Sequence, residues 1–186
     1  MILTLTRSEM LSRLRLIMGL EPLRTDCSIE YTDGIDVDAV LEQHLRAWYV
    51  AMLDDAPPHL LAPTDISRLV VVSECPAPSG VVFDLPALCR RVFEVRMPGW
   101  YHTVAVRPPE YCEAVCSRQL NPFTRATTAR PEAVLMPGGR SLMLFPAGQG
   151  SVPAMLSGII DPGADSYVLD EAALAGLASL AKQITF

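Results

Sequence analysis

Lysine is nearly absent from this 186-residue chain, since Lys182 is the only lysine against fourteen arginines. A nucleotide-binding loop of the Walker type needs a lysine beside a glycine-rich turn that opens a helix. Lys182 lies in a C-terminal segment without such a turn, and neither Gly138-Gly139 nor Gly148-Gln149-Gly150 has the required context. The sequence therefore excludes a phosphate-binding loop of this class.

Long apolar runs are also missing, although 50% of the residues are hydrophobic and the mean hydropathy is +0.27. No uninterrupted apolar window approaches the length of about 18 residues that a membrane helix needs, so we expect no membrane span. Residues 1–7 lack the basic region and the cleavage-type end of a signal peptide. We therefore expect the surplus apolar residues in the core and in a permanent interface between subunits.

The cysteines and histidines form no recognised catalytic or metal-binding motif. Five cysteines stand at positions 27, 75, 89, 112 and 116, and without an export signal we expect reduced thiols. Cys112 and Cys116 are spaced to share a helix face, but a zinc site needs further ligands that the sequence does not place. We expect no cofactor, no metal and no catalytic residues. The enzymatic alternative is a small hydrolase in which Cys112 or Cys116 is the nucleophile and His102 the base.

The charges are unevenly distributed within a net charge of −6. Residues 26–65 carry nine acidic residues against Arg46 alone, whereas residues 90–140 carry eight arginines against four acidic residues. Either both regions are solvated or paired within the chain, or they dock head-to-tail with a second copy. The candidate interaction residues are Asp33, Asp36 and Asp38 on the acidic side and Arg118, Arg125, Arg130 and Phe123 on the basic side.

Three helices are predicted from capping and periodicity. Thr6 and Glu9 form a capping box, which predicts a helix over 7–18 that ends at Gly19. A second helix is predicted over 36–54, with Asp36 and Asp38 at its positive end. The alanine- and leucine-rich residues 170–184 predict a C-terminal helix.

Between these helices, apolar segments of β type are separated by proline and glycine turns. The predicted strands are 68–74, 80–85, 91–97, 101–107, 132–136, 140–146 and 155–160. Pro98-Gly99 and Pro137-Gly138 each predict a hairpin, and residues 108–119 predict one or two helical turns. The fold class is therefore α+β, with an N-terminal helical hairpin, an antiparallel β-sandwich or barrel-like sheet, and a C-terminal helix. We expect a helical region over 1–56 and a β-rich domain over 66–186, or both within one single domain.

The second half of the chain carries a series of short sequence features in a characteristic order. They are Asp84-Leu85-Pro86, Arg90-Arg91-Val92, Gly99-Trp100, Gln119-Leu120-Asn121-Pro122 with Arg125, Arg130-Pro131, Phe145-Pro146 and Ile160-Asp161-Pro162. This order resembles virion structural proteins of tailed bacteriophages, in particular the neck, ring or head–tail adaptor proteins of gut Bacteroidales phages, including crAss-like ones. The resemblance covers about the last hundred residues and carries over no catalytic residue.

The resemblance implies a small α+β subunit that forms a homo-oligomeric ring between portal and tail. It implies neighbouring portal and tail or ring proteins as partners, and localisation in a virion that is assembled in the cytoplasm of the bacterial host. Non-specific contact of the loop arginines with DNA in the ring lumen is compatible with this role. The alternative function is a monomeric β-sandwich module that binds a glycan or small ligand through Trp100, Tyr101 and Phe123.

Overall fold

The protein divides into two compact units in the computed structural model, which describes residues 1–20, 36–73, 75, 77, 79–148 and 150–184. The terminal unit comprises residues 1–62 and 161–186, and the central unit comprises residues 63–160. Helices and antiparallel sheets are both present, with helices near each end of the chain. The predicted α+β class is therefore confirmed.

The terminal unit combines three α-helices with a two-stranded antiparallel sheet among its described residues. The helices are α1 (Arg7–Ile17), α2 (Val37–Asp55) and, at the end of the chain, α4 (Ala175–Gln183). The strands are β1 (Ile2–Thr6) and β10 (Ser166–Asp170), and single 3-10 turns cover Pro58–Leu60 and Glu171–Leu174. The C-terminal helix packs against α1 and α2. Residues 161–186 therefore belong to the same unit as the N-terminal helices, whereas we expected them in the β-rich domain over 66–186.

Capping explains where the helices of the terminal unit begin. The Thr6 side chain accepts a hydrogen bond from the Glu9 N–H, and the Glu9 carboxylate accepts one from the Thr6 N–H, which confirms the capping box. Gly19 has φ +70°, a conformation that costs glycine little and that ends α1. Asp36 caps α2 by accepting hydrogen bonds from the N–H groups of Asp38 and Ala39.

The central unit contains two four-stranded antiparallel sheets and one α-helix among its described residues. One sheet has the order β2 (Thr64–Asp65), β9 (Met155–Ile160), β5 (Cys89–Arg96) and β6 (Val104–Ala105). The other has the order β3 (Val71–Ser73), β4 (Val81–Asp84), β8 (Ser141–Phe145) and β7 (Glu132–Leu135). A 3-10 turn over Pro109–Tyr111 leads into the helix α3 (Cys112–Gln119).

Burial on both sides explains why strand β8 reads as an unbroken apolar run. Leu142 and Leu144 join a core that also contains Val95 and Leu156 of the other sheet, so the two sheets pack face to face. Met143, on the opposite face of β8, packs in a second core with residues of α3. A strand covered on both faces needs no alternation of polar and apolar residues.

The strand predicted over 101–107 is mostly wrong, because only Val104–Ala105 pairs with β5. Trp100 is buried and its indole N–H donates to the Pro146 carbonyl at 2.8 Å. The Tyr101 N–H donates to the Thr128 carbonyl at 3.1 Å. These two contacts hold the segment in a turn and away from a strand partner. The hairpin prediction at Pro98-Gly99 is nevertheless confirmed by the β5–β6 pairing.

Candidate interaction surface

The arginine-rich segment that follows α3 folds into two successive turns in the central unit. We call residues 120–130 the docking loop. Asn121 starts the first turn: its side-chain carbonyl accepts from the Phe123 N–H at 2.9 Å, and its backbone carbonyl accepts from the Arg125 N–H at 2.9 Å. In the second turn, the Arg130 N–H donates to the Thr127 carbonyl at 2.9 Å and the Thr127 N–H donates to the Arg130 carbonyl at 3.2 Å. Backbone hydrogen bonds therefore define the shape of the loop.

A buried glutamine fixes the docking loop to the rest of the central unit. Gln119 is 8% exposed, and its amide nitrogen donates to the Val115 carbonyl at 3.0 Å and to Glu132 at 3.1 Å. Its amide oxygen accepts from the buried Ala126 N–H at 3.0 Å. One side chain thus ties the loop to α3 and to β7 while every one of these buried groups has a partner.

The docking loop presents large apolar side chains to solvent. Phe123 is 91% exposed and Leu120 is 75% exposed. Tyr101 is 77% exposed, and its backbone is bonded to Thr128 in the second turn. Single exposed apolar residues are ordinary. Here the apolar residues belong to one hydrogen-bonded loop and to the segment bound to it, an arrangement typical of an interaction surface.

Two of the three predicted arginines are available for a partner. Arg125 and Arg130 are exposed, and within the described part of the chain neither forms an ion pair. Exposed guanidinium groups beside aromatic side chains are enriched at the energetic centres of interfaces.

Arg118 has a different, internal role. It forms an ion pair with Glu132 at 2.6 Å, and Glu132 also lies 3.9 Å from Arg107. The Glu132 carboxylate on β7 therefore accepts hydrogen bonds from Gln119 and Arg118 of α3, and it lies near the Arg107 guanidinium as well. Arg118 thus supports the docking loop through Glu132, and because its side chain is still 37% exposed, its contact with a partner stays a prediction.

The predicted acidic surface is largely used within the terminal unit. The Asp36 side chain caps α2, and Asp38 forms an ion pair with Arg15. Glu42 forms a further ion pair with Arg7. Asp33 lies outside the residues that the structure describes. Because these local pairs and caps already use Asp36 and Asp38, their prediction as residues that face a second copy has no support in the structure.

Other candidate chemistry receives little support from the described residues. No three side chains among their histidines, cysteines, aspartates and glutamates converge to hold a metal ion. His44 and His102 are both exposed. The Cys116 thiol lies 3.6 Å from the Met143 sulfur, and burial and the adjacent Cys112 raise the pKa of Cys116. A raised thiol pKa reduces the thiolate fraction that a nucleophile needs.

The sequence predicted part of this surface and missed the residues that shape it. Phe123, Arg125 and Arg130 were predicted, whereas Gln119 and Leu120 were not. The polar segment around Asn121-Pro122 was the available signal, because an isolated leucine next to an asparagine–proline turn has no core to join. None of the described helices is long and apolar enough to cross a bilayer.

No protein-family model matches the chain, and no curated protein matches it either.

Proposed function

We propose that this protein is a non-catalytic structural subunit that docks onto other protein subunits through the docking loop. The observation that carries the proposal is a hydrogen-bonded loop that holds Phe123 and Leu120 almost fully in water beside two arginines. Because the loop is already ordered, little conformational entropy is lost when a partner covers it.

The chemistry of the surface favours a protein partner. Burial of an aromatic side chain such as Phe123 gives a large apolar contribution, and Arg125 and Arg130 add directional hydrogen bonds to carboxylates or carbonyls. Nucleic acid would bind the same arginines, but the chain has a net charge of −6 and the docking loop contains only two arginines. Non-specific contact with DNA is thus a secondary role of this surface.

In the context of the sequence resemblance, the subunit forms a homo-oligomeric ring at the portal–tail junction of a phage virion. Its partners are then neighbouring copies of the chain and the portal and tail or ring proteins above and below. The docking loop supplies one side of such a contact. The pairing of Asp38 and Glu42 within the terminal unit favours a partner surface other than that acidic segment.

The test is the oligomeric state of three proteins, measured by light scattering over a range of concentration and salt and imaged by negative stain. We expect the unaltered chain to form a closed ring, alone or when mixed with a partner ring protein, and Phe123→Asp to remain monomeric. Leu88→Asp is the matched control, because Leu88 is also exposed in the central unit but lies outside the docking loop. Equal assembly of Phe123→Asp and Leu88→Asp would refute the role of the loop. A chain that stays monomeric under every condition would refute the ring.

The cleft in the central unit favours a second candidate function, a binding module for a small uncharged ligand. The cleft has a volume of about 790 Å³, within the range of ligand sites, and its described lining carries no charged residue. Met97, Pro98, Trp100, Thr128 and Ser151 are part of this lining. Trp100 is 3% exposed, so the prediction that it forms an open aromatic platform is wrong. This function is tested by titrating neutral oligosaccharides into the Trp48→Phe variant and measuring the fluorescence of Trp100. A fluorescence response identical to that of buffer alone would refute it.

A further inference from the structure

Three sulfur-containing side chains belong to the cluster in which helix α3 covers strand β8. Cys112 and Cys116 are four residues apart on α3, which places both thiols on the same side of the helix. The Cys116 sulfur lies 3.6 Å from the sulfur of Met143 on β8. Both cysteines and Met143 belong to one packed cluster.

We propose that Cys112, Cys116 and Met143 form a binding site for a monovalent thiophilic metal ion, Cu(I). Thiolate and thioether sulfurs are the ligands that select this ion. A planar site with metal–sulfur distances of about 2.3 Å, taken from zinc–thiolate bonds, needs sulfur–sulfur separations of about 4 Å. The observed separation between the Cys116 and Met143 sulfurs is 3.6 Å, so this pair requires only a small adjustment. Zinc fits less well because no third histidine, cysteine or carboxylate in the described residues completes the site.

The burial of the three side chains agrees with such a site. Met143 is buried at 1% exposure, whereas Cys112 and Cys116 are half-buried, so an ion can enter from solvent and reach the thioether behind them. Binding of one Cu(I) releases the two thiol protons to solvent and leaves one bis-thiolate complex, which makes the affinity rise with pH. The bound ion would connect α3 directly to β8 and thereby stabilise the base of the docking loop.

The experiment is an anaerobic competition for Cu(I) between the reduced full chain and the coloured chelator bicinchoninate. We expect the chain to withdraw one Cu(I), and the Cys112→Ser/Cys116→Ser variant to withdraw at least tenfold less at the same chelator concentration. Cys89→Ser is the matched control, because Cys89 is half-buried in the same unit but lies in a different core cluster. Met143→Leu conserves volume and is expected to fold, yet to lose about tenfold in affinity.

Either of two outcomes in this competition would overturn the proposal. If the double variant withdraws as much Cu(I) as the control variant, the thiols of α3 are not the ligands. If Met143→Leu binds Cu(I) as tightly as the unaltered chain, the thioether is not a ligand and the three-sulfur site does not exist. The single variant Cys112→Ala, checked by circular dichroism, replaces the double variant if the latter does not fold. The expected rise in melting temperature on addition of Cu(I) provides a second readout, which unchanged melting would contradict.

Discussion

The hydroxyl of Tyr49 forms the two backbone hydrogen bonds that a neighbouring strand would otherwise form with Val168 on the free edge of β10. It donates to the Val168 carbonyl at 3.0 Å and accepts from the Val168 N–H at 2.9 Å. Strand β10 pairs with β1 on its other side, so this one phenol on α2 satisfies both backbone groups of Val168. The ring of Tyr49 is fully buried and meets that of Tyr167 edge-on, with the ring centroids 4.8 Å apart.

Tyr49→Phe should therefore cost more stability than the loss of one hydroxyl group suggests. Each hydrogen bond contributes about 0.5–1.5 kcal/mol, and a buried group left without a partner costs about 1–3 kcal/mol. Because the contacts are only partly buried, we expect the free energy of unfolding to fall by about 2–3 kcal/mol. With a urea dependence of roughly 2 kcal/mol per molar, the unfolding midpoint should shift down by about 1–1.5 M.

The matched control is Tyr167→Phe, measured by circular dichroism during urea unfolding at pH 7. Tyr167 has the same ring in the same core but no hydrogen bond of its hydroxyl is found among the described residues. Burial raises the pKa of both phenols, so both are neutral at pH 7 and ionisation does not affect the comparison. We expect the control to change stability by less than about 1 kcal/mol. Equal effects of the two substitutions, or a changed urea dependence for Tyr49→Phe alone, would refute the reasoning.

Three further predictions follow from the central unit. Gln119→Met keeps the side-chain volume but leaves the Ala126 N–H without its partner, so unfolding should become easier by about 1–3 kcal/mol and hydrogen exchange in the docking loop should accelerate; unchanged exchange would contradict the anchoring role. Backbone N–H groups of Ser67 and Leu156 lower the pKa of Asp65 on folding, so its stabilisation is present above the unfolded value of about 3.9 and disappears as the pH falls through the lower folded value. The melting temperature of Asp65→Asn should thus fall less between pH 7 and pH 3 than that of the unaltered chain. An equal fall in both proteins would contradict the stabilising role of the ionised Asp65. A Cβ at Gly158 would lie 2.7 Å from Ile66 and 3.0 Å from a backbone carbonyl, so Gly158→Ala should cost about 1–3 kcal/mol in urea unfolding, and a change below about 0.5 kcal/mol would show that the site relaxes.

Local signals in the sequence were sufficient for the helices and for most of the central strands. The Thr6–Glu9 capping box, the glycine after α1 and the Asp36 cap of α2 act within one or two helical turns, so their effect is visible in the sequence. The turn at Pro137-Gly138-Gly139 likewise predicted the pairing of β7 with β8. Such elements depend on neighbours in the chain and need no tertiary partner to be recognised.

Pairings between distant residues were not visible in the same way. Strands β1 and β10 are each five residues long, and Leu3 meets Leu169 across the sheet although the two lie far apart in the chain. No hairpin turn links β1 to β10, so no local sequence motif predicts that these two strands pair. The same reason explains the boundary between the units, because the packing of α4 on α1 and α2 brings the end of the chain back to its beginning.

The composition of the basic segment 118–130 was determined by the sequence, and the availability of its residues was decided by the tertiary structure. Phe123, Arg118, Arg125 and Arg130 stand out as one basic segment, and nothing in their order separates them. The fold brings Glu132 of β7 next to Arg118 and leaves Arg125 and Arg130 exposed, which divides one apparent cluster into an internal support and an outer surface. The attraction between two charges weakens with distance and with screening by solvent, so only the three-dimensional positions of the carboxylates decide which arginines remain available for a partner.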